Sequence, residues 1–227
     1  SVKYAKKPVV VAPFGLTLGG GCEFTMASPR AVAAAETYIG LVEVGVGLLP
    51  GGGGTKEFAL RLSDEMKEGE VHIPLLISKF KTLAMASVAT SAYEAFDLGY
   101  LQYQRDTVSI HGSTHIFKAK QKVLQLANGY VAKQPRTDVH VLGRSGLGPL
   151  YAAAHTLMLG NYASEHDIKI AKKMAYVLCG GDLSYPQKVS EQYLLDLERE
   201  AFLSLCTEPK TLERIQYLLE NNKTLRN

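Results

Sequence analysis

Leu18-Gly19-Gly20-Gly21-Cys22-Glu23 and, twenty residues on, Glu43-Val44-Gly45-Val46-Gly47-Leu48-Leu49-Pro50-Gly51-Gly52-Gly53-Gly54-Thr55 carry the decisive part of this sequence. Three glycines introduce residues 22–27, all of which tolerate a helix. Ser28-Pro29 ends that run, because proline disfavours helical geometry in the residue before it. Glycines at a helix entry let a ligand approach the backbone closely, and the amides of a helix N-terminus point at whatever binds. A carbonyl oxygen gaining negative charge would be stabilised there, aided by the helix dipole. Glu23 stands in that first turn, and Glu43 beside the second glycine-rich loop. Two carboxylates next to two glycine loops could form an acid/base pair around one small reacting group. A plainer alternative stays open: glycine loops also serve as tight turns, and a first-turn Glu is usually a surface residue that offsets the dipole.

Working outward, residues 9–12 are apolar without alternation, as in a strand covered on both faces. Residues 13–18 read as a turn or short loop, and 31–36 with 37–41 as a second strand pair or a strand followed by a turn. Thr55 is placed to cap a helix reaching about residue 62. Ser91-Ala92-Tyr93-Glu94 has capping-box spacing, with Gly99 as the stop. Residues 113–128 form a basic amphipathic helix closed by Gly129, and 139–142 a short strand. The cluster Gly143, Gly146 and Gly148 then reads as a turn joining strand to helix. Residues 152–159, 163–178, 190–206 and 209–221 repeat apolar positions three and four apart and read as helices.

Composition sets outer limits. The chain has 227 residues, 46% hydrophobic and 21% charged, with a net charge of +3, which describes an ordinary globular protein. The scattered basic residues imply no nucleic-acid surface, and the apolar runs are too short for a membrane helix. Cys22, Cys179 and Cys206 are odd in number and far apart, which suits free thiols in a reducing cytosol. Six histidines show no metal-binding spacing. Gly51-Gly52-Gly53-Gly54-Thr55-Lys56 departs from a phosphate loop, because its Lys follows the Thr. Cys22, next to Glu23, reads as a small buried filler rather than a nucleophile.

The order and spacing of Lys7-Pro8-Val9-Val10-Val11-Ala12, Leu18 to Glu23, Gly40-Leu41-Val42-Glu43-Val44 and Gly47 to Thr55 resemble the crotonase superfamily, in particular its enoyl-CoA hydratase branch. The likeness is strong over the first sixty residues, with an echo in Thr90 to Leu101. It implies an α/β fold, the second half of a crotonase-like ββα spiral followed by a helical C-terminal region. Residues 1–105 would be the C-terminal half of the core, and 106–227 a mostly helical extension used in packing and assembly.

Carried over by position, the resemblance makes the Gly20 N–H an oxyanion-hole donor to a thioester carbonyl, with Gly19 beside it. Glu23 matches the carboxylate that activates water. Glu43 matches the one that binds that water and protonates the α-carbon. Gly51 matches a residue whose backbone seats the water, with Leu49 and Pro50 beside the acyl group. The implied reaction is syn hydration of trans-2-enoyl-CoA in fatty acid β-oxidation. Both carboxylates are kept, which favours a hydratase over a Δ3,Δ2-enoyl-CoA isomerase. A non-catalytic scaffold of this fold is the remaining alternative. Val42, Ser28-Pro29 and Lys56-Glu57 depart from the family pattern, without removing a proposed catalytic group.

The family's other oxyanion donor lies in an Ala-Gly-Ala-Asp-like loop that these residues do not contain, so a missing N-terminal portion or partner domain is expected. The tail, including Ser164-Glu165-His166-Asp167 and Ser190 to Phe202, resembles bacterial multifunctional proteins that pair a hydratase with an NAD-dependent 3-hydroxyacyl-CoA dehydrogenase. The segment would then need no cofactor of its own. Coenzyme A would enter as part of an acyl-CoA thioester substrate, and NAD would bind a separate domain. A cytoplasmic homo-oligomer with no nucleic-acid partner is the corresponding expectation.

Overall fold

The structure, a computed structural model, describes residues 2–227. Its contacts gather into two compact units that interleave along the chain, each built from two stretches.

The first unit comprises the chain up to Leu41 together with Ser87–Pro135. In one sheet β1 (Val10–Val11) and β6 (Thr107–Ser109) flank β3 (Arg30–Ala34), both parallel to it. In another, β4 (Tyr38–Gly40) lies between parallel β2 (Leu16–Leu18) and antiparallel β5 (Val88–Ala89). The first four strands thus alternate between the two sheets, with α1 (Gly20–Ala27) linking β2 to β3. The turn at Thr37 makes the switch: its hydroxyl donates to Pro13 O at 2.9 Å and its amide to Ala34 O at 3.1 Å. Two sequence expectations change here. Residues 16–18 form a strand rather than a loop, because pairing with Tyr38–Gly40 outweighs a pattern too short to show periodicity. β3 and β4 both form, but in different sheets rather than as a pair. β5 and β6, also short, were not anticipated.

α4 (Ala92–Leu98) is capped by the Ser91 hydroxyl, which accepts from the Glu94 amide at 3.1 Å, and Gly99 stops it at φ 88°. The capping box is only half formed, since the Glu94 carboxylate accepts from Thr90 N and Oγ1, each at 2.7 Å. α5 (His115–Ala127) packs on β1 and β3, and its His115 ring lies 2.7 Å from Val32 O.

The second unit comprises Val42–Ala86 and Arg136–Asn227. It opens with a 3-10 turn, Glu43–Val46, and continues through α2 (Gly54–Glu65) and α3 (Ile73–Ala84). β7 (Val139–Val141) pairs antiparallel with β8 (Gln187–Val189), a strand the sequence did not reveal. Four helices complete it: α6 (Arg144–Leu159), α7 (Glu165–Leu178), α8 (Glu191–Cys206) and α9 (Pro209–Asn221). Ile168, Ile170, Met174, Val177 and Leu178 sink α7 into the core. Gly146 and Gly148 lie inside α6 instead of in a turn. A side chain at Gly146 would come within 2.9 Å of Leu76 and 2.8 Å of Cys179, so glycine there serves helix packing. The tail helices therefore share one unit with residues 42–86.

Among the described residues, no helix is long and apolar enough to cross a membrane.

Candidate active site

In the first unit, Gly19, Gly20 and Glu23 meet at the entry of α1. Gly19 has φ 55° and ψ −123°, a combination open to glycine and closed to residues with a Cβ. Its amide donates to Gly40 O at 2.9 Å, tying the helix entry to the end of β4. The first intrahelical bond runs from Glu23 N to Gly19 O at 3.0 Å. Helix geometry therefore gives the Gly20 amide no partner within α1. Gly20 is exposed, and a Cβ there would meet nothing within 4 Å. Glu23, half-buried, stands one turn in. Beneath them Cys22 is wholly buried with its Sγ 3.8 Å from Met26 Sδ, the filler role expected of it.

In the second unit, Glu43 begins the 3-10 turn and is half-buried. Leu49 is completely buried, Pro50 buried, and Gly51 half-buried. Gly51 is needed for close packing, because a Cβ there would sit 2.3 Å from Phe202 of α8. One turn earlier on α8, Glu198 is 0% exposed, and its two carboxylate oxygens accept from the amides of Gly53 and Lys56, each at 2.7 Å. An internal anion therefore caps α2, a role the sequence suggested for Thr55. Thr55 instead lies within the helix, donating to Pro50 O at 3.1 Å, and Gly53 is the cap at φ 110°. Glu198 thus takes the two amides, of Gly53 and Lys56, that would otherwise face an external anion at this helix entry.

Lys56 Nζ is buried between Glu57 Oε1 (2.5 Å) and Glu191 Oε1 (2.9 Å). Burial opposes its charge, but the two carboxylates outweigh it and hold the ammonium above the usual lysine range. This lysine is a structural ion-pair partner.

The 3-10 turn is held from behind. Thr211 of α9 donates to Gly47 O at 2.8 Å, and Arg214 Nη1 donates to Val44 O at 3.0 Å. Gly47 adopts φ 82°, and any Cβ would lie 2.8 Å from Thr211 Cα. Behind α9, His166 Nε2 lies 2.9 Å from Thr211 Oγ1, and Asp167 Oδ1 accepts from Arg214 Nη1 at 2.7 Å. Because the Thr211 proton points at Gly47 O, the His166 nitrogen must be the donor. Asp167 also closes the capping box of α7 with Ser164. Burial opposes the Asp167 charge, yet the Ser164 amide and Arg214 hold its carboxyl below the usual range. Sequence reading missed Glu198, Phe202, Thr211 and Arg214. The signal available was Ser164-Glu165-His166-Asp167, whose Asp three residues after a Ser marks a capped helix.

Burial, followed by the Arg214 charge, lowers the pKa of buried His166, while Glu208 and Asp167 act in the opposite sense. Half-buried His140 is lowered too, by burial, His72 and Lys188. The unfolded chain thus binds protons that the folded chain resists. This contribution to stability is full above about pH 6.5 and is lost as pH falls through the folded values. The urea midpoint should drop between about pH 7.5 and 5.5, and His166→Gln should shallow that slope. An unchanged slope would contradict the assignment.

No family model matches the chain. It is 43% identical over 226 residues to the Bacillus subtilis protein named "Probable 3-hydroxyacyl-CoA dehydrogenase", a match that covers 100% of this chain and 28% of that one. A crotonyl-CoA hydratase of Syntrophomonas wolfei is 44% identical over 55 residues, 24% of this chain and 21% of the relative. The crystal structure of carnitinyl-CoA hydratase from Mycobacterium avium superposes with a TM-score of 0.54 at 17% identity, covering 99% of this chain and 65% of that one. The chain thus has the crotonase fold and is homologous, along its whole length, to just over a quarter of a longer bacterial relative.

Proposed function

We propose that this chain supplies the hydratase site of a longer fatty acid β-oxidation enzyme. That site adds water, syn, across the double bond of a trans-2-enoyl-CoA to give a 3-hydroxyacyl-CoA. The observation that carries the reading is similarity, over all of this chain and 28% of the relative, to a protein named for oxidising 3-hydroxyacyl-CoA, on a chain with a hydratase's fold. Hydration makes the compound that such a dehydrogenase consumes. The local chemistry agrees: addition at the β-carbon builds enolate charge on the thioester oxygen, which fixed amide donors stabilise.

In this reading the Gly20 N–H is one donor, with Gly19 shaping the approach. Glu23 takes a proton from water and Glu43 delivers one to the α-carbon, while the Leu49-Pro50-Gly51 backbone borders the reacting end. A second donor comes from another segment. The site uses no cofactor beyond the coenzyme A of its substrate, and NAD serves a separate domain. The free thiols of Cys22, Cys179 and Cys206 suit a cytoplasmic setting, and assembly of like chains would cover exposed Leu212 and Leu219.

The test is to offer the complete natural protein crotonyl-CoA and, separately, a 3-enoyl-CoA. Loss of the conjugated thioester's absorbance in the first supports hydration, while turnover of the second alone would replace it with double-bond migration. The isolated 227 residues should be weakly active or inactive, and vigorous hydration by them would overturn the two-part oxyanion site.

A further inference from the structure

The hydrogen bonds behind the Glu43 turn form two parallel rungs. One runs from His166 through Thr211 to the Gly47 carbonyl, with distances of 2.9 and 2.8 Å. The other runs from Asp167 through Arg214 to the Val44 carbonyl, with distances of 2.7 and 3.0 Å. Each rung uses adjacent residues of α7, residues three apart on α9, and carbonyls three apart on the turn. That spacing puts Thr211 and Arg214 on the same face of α9. The face is polar yet closed: Thr211 and Arg214 are both 0% exposed, whereas Leu212 and Leu219 of the same helix are 55% and 77% exposed. A helix that merely packed would bury its leucines. This one buries its hydrogen-bonding residues.

Arg214 is further fixed by Ser164 Oγ at 3.1 Å and Asn227 Oδ1 at 2.8 Å, so its guanidinium is constrained on several sides. A buried arginine with its partners satisfied has one arrangement, and the carbonyls it reaches inherit that rigidity. We infer that Thr211 and Arg214 are positioning residues that set the backbone of residues 43–47, and through it the placement of the Glu43 carboxyl. The inference rests on the hydratase reading for its kinetic consequence, but its structural half stands separately.

Thr211→Val is the sharpest test. The substitution keeps shape, removes the hydroxyl, and sets a methyl where an oxygen now lies 2.8 Å from Gly47 O, so the turn must move. In the complete natural protein, crotonyl-CoA hydration should lose at least about ten-fold in kcat with KM within about two-fold, as expected for misplacing a catalytic group. Thr211→Ser should restore most of it. Arg214→Lys, which keeps the charge without the fork, should fall between. Amide hydrogen exchange of Gly45, Gly47 and Leu48, which donate to the carbonyls of Val42, Val44 and Glu43, should accelerate in Thr211→Val and recover in Thr211→Ser.

Glu43→Gln, measured alongside, separates the two ideas. If it abolishes turnover while Thr211→Val alters neither kcat nor exchange, the positioning role is wrong. If Glu43→Gln is silent while exchange in Thr211→Val accelerates, the rungs hold the turn and the hydratase role of Glu43 is wrong. Exchange unchanged in Thr211→Val overturns the inference whether or not the protein hydrates enoyl-CoA.

Discussion

Glu23→Gln and Glu43→Gln, each made in the complete natural protein, should each lower kcat for crotonyl-CoA hydration at least about a hundred-fold. Gln preserves size and hydrogen bonding but can neither take the water proton nor deliver one, so the loss belongs to chemistry rather than folding. Gly20→Pro probes the proposed oxyanion donor. Proline is favoured at the first helical position, the Gly19 ψ of −123° keeps the preceding nitrogen clear of its ring, and Gly20 has open space around it. The change therefore removes one amide proton and little else. Losing one oxyanion donor costs about 10²–10³ in kcat. Circular dichroism and urea midpoints should match the parent for all three variants. Retention of activity within a few-fold in either carboxylate variant would remove that residue from the mechanism.

The largest expected loss of stability follows Glu198→Ala. Two inward amides at the start of α2 would lose a fully buried anion at 2.7 Å each. An unpartnered buried amide costs about 1–3 kcal/mol, and breaking a buried charged contact about 3–5 kcal/mol, so a loss of about 3–5 kcal/mol is expected. Glu198→Gln should lose less, because one oxygen still accepts while the amide NH₂ faces a donor. Urea denaturation measures both, and a loss below about 1 kcal/mol for Glu198→Ala would contradict the cap.

What the sequence disclosed follows from how local each feature is. The entry of α1 was legible because glycine and proline act on their own neighbours: Gly19 needs its positive φ, and Pro29 stops the helix one residue before it. Helices α7, α8 and α9 were legible because repeated apolar spacing survives without tertiary information. The short strands β2, β5, β6 and β8 were not, since their partners lie elsewhere along the chain, whereas the equally short β1 and β7 carried apolar runs that could be read. The cap of α2 misled for a related reason. Thr55 had the right chemistry at nearly the right position, but a carboxylate 145 residues away is a stronger acceptor for Gly53 N. The apolar spacing that marks α9 as a helix does not mark its buried face, which is Thr211 and Arg214. Hydrophobic patterning cannot report a face closed by hydrogen bonds.

Interleaving also carries a consequence for synthesis on the ribosome. Gly47 waits for Thr211, 164 residues later. At elongation rates of about 5–20 residues per second that interval is roughly 8–33 s. During it the nascent segment around Glu43 lacks its native supports, and premature termination before residue 211 would release a polypeptide with that segment unsupported. Such products should be preferred clients of chaperones and proteases, so cells have reason to favour uninterrupted translation of this region.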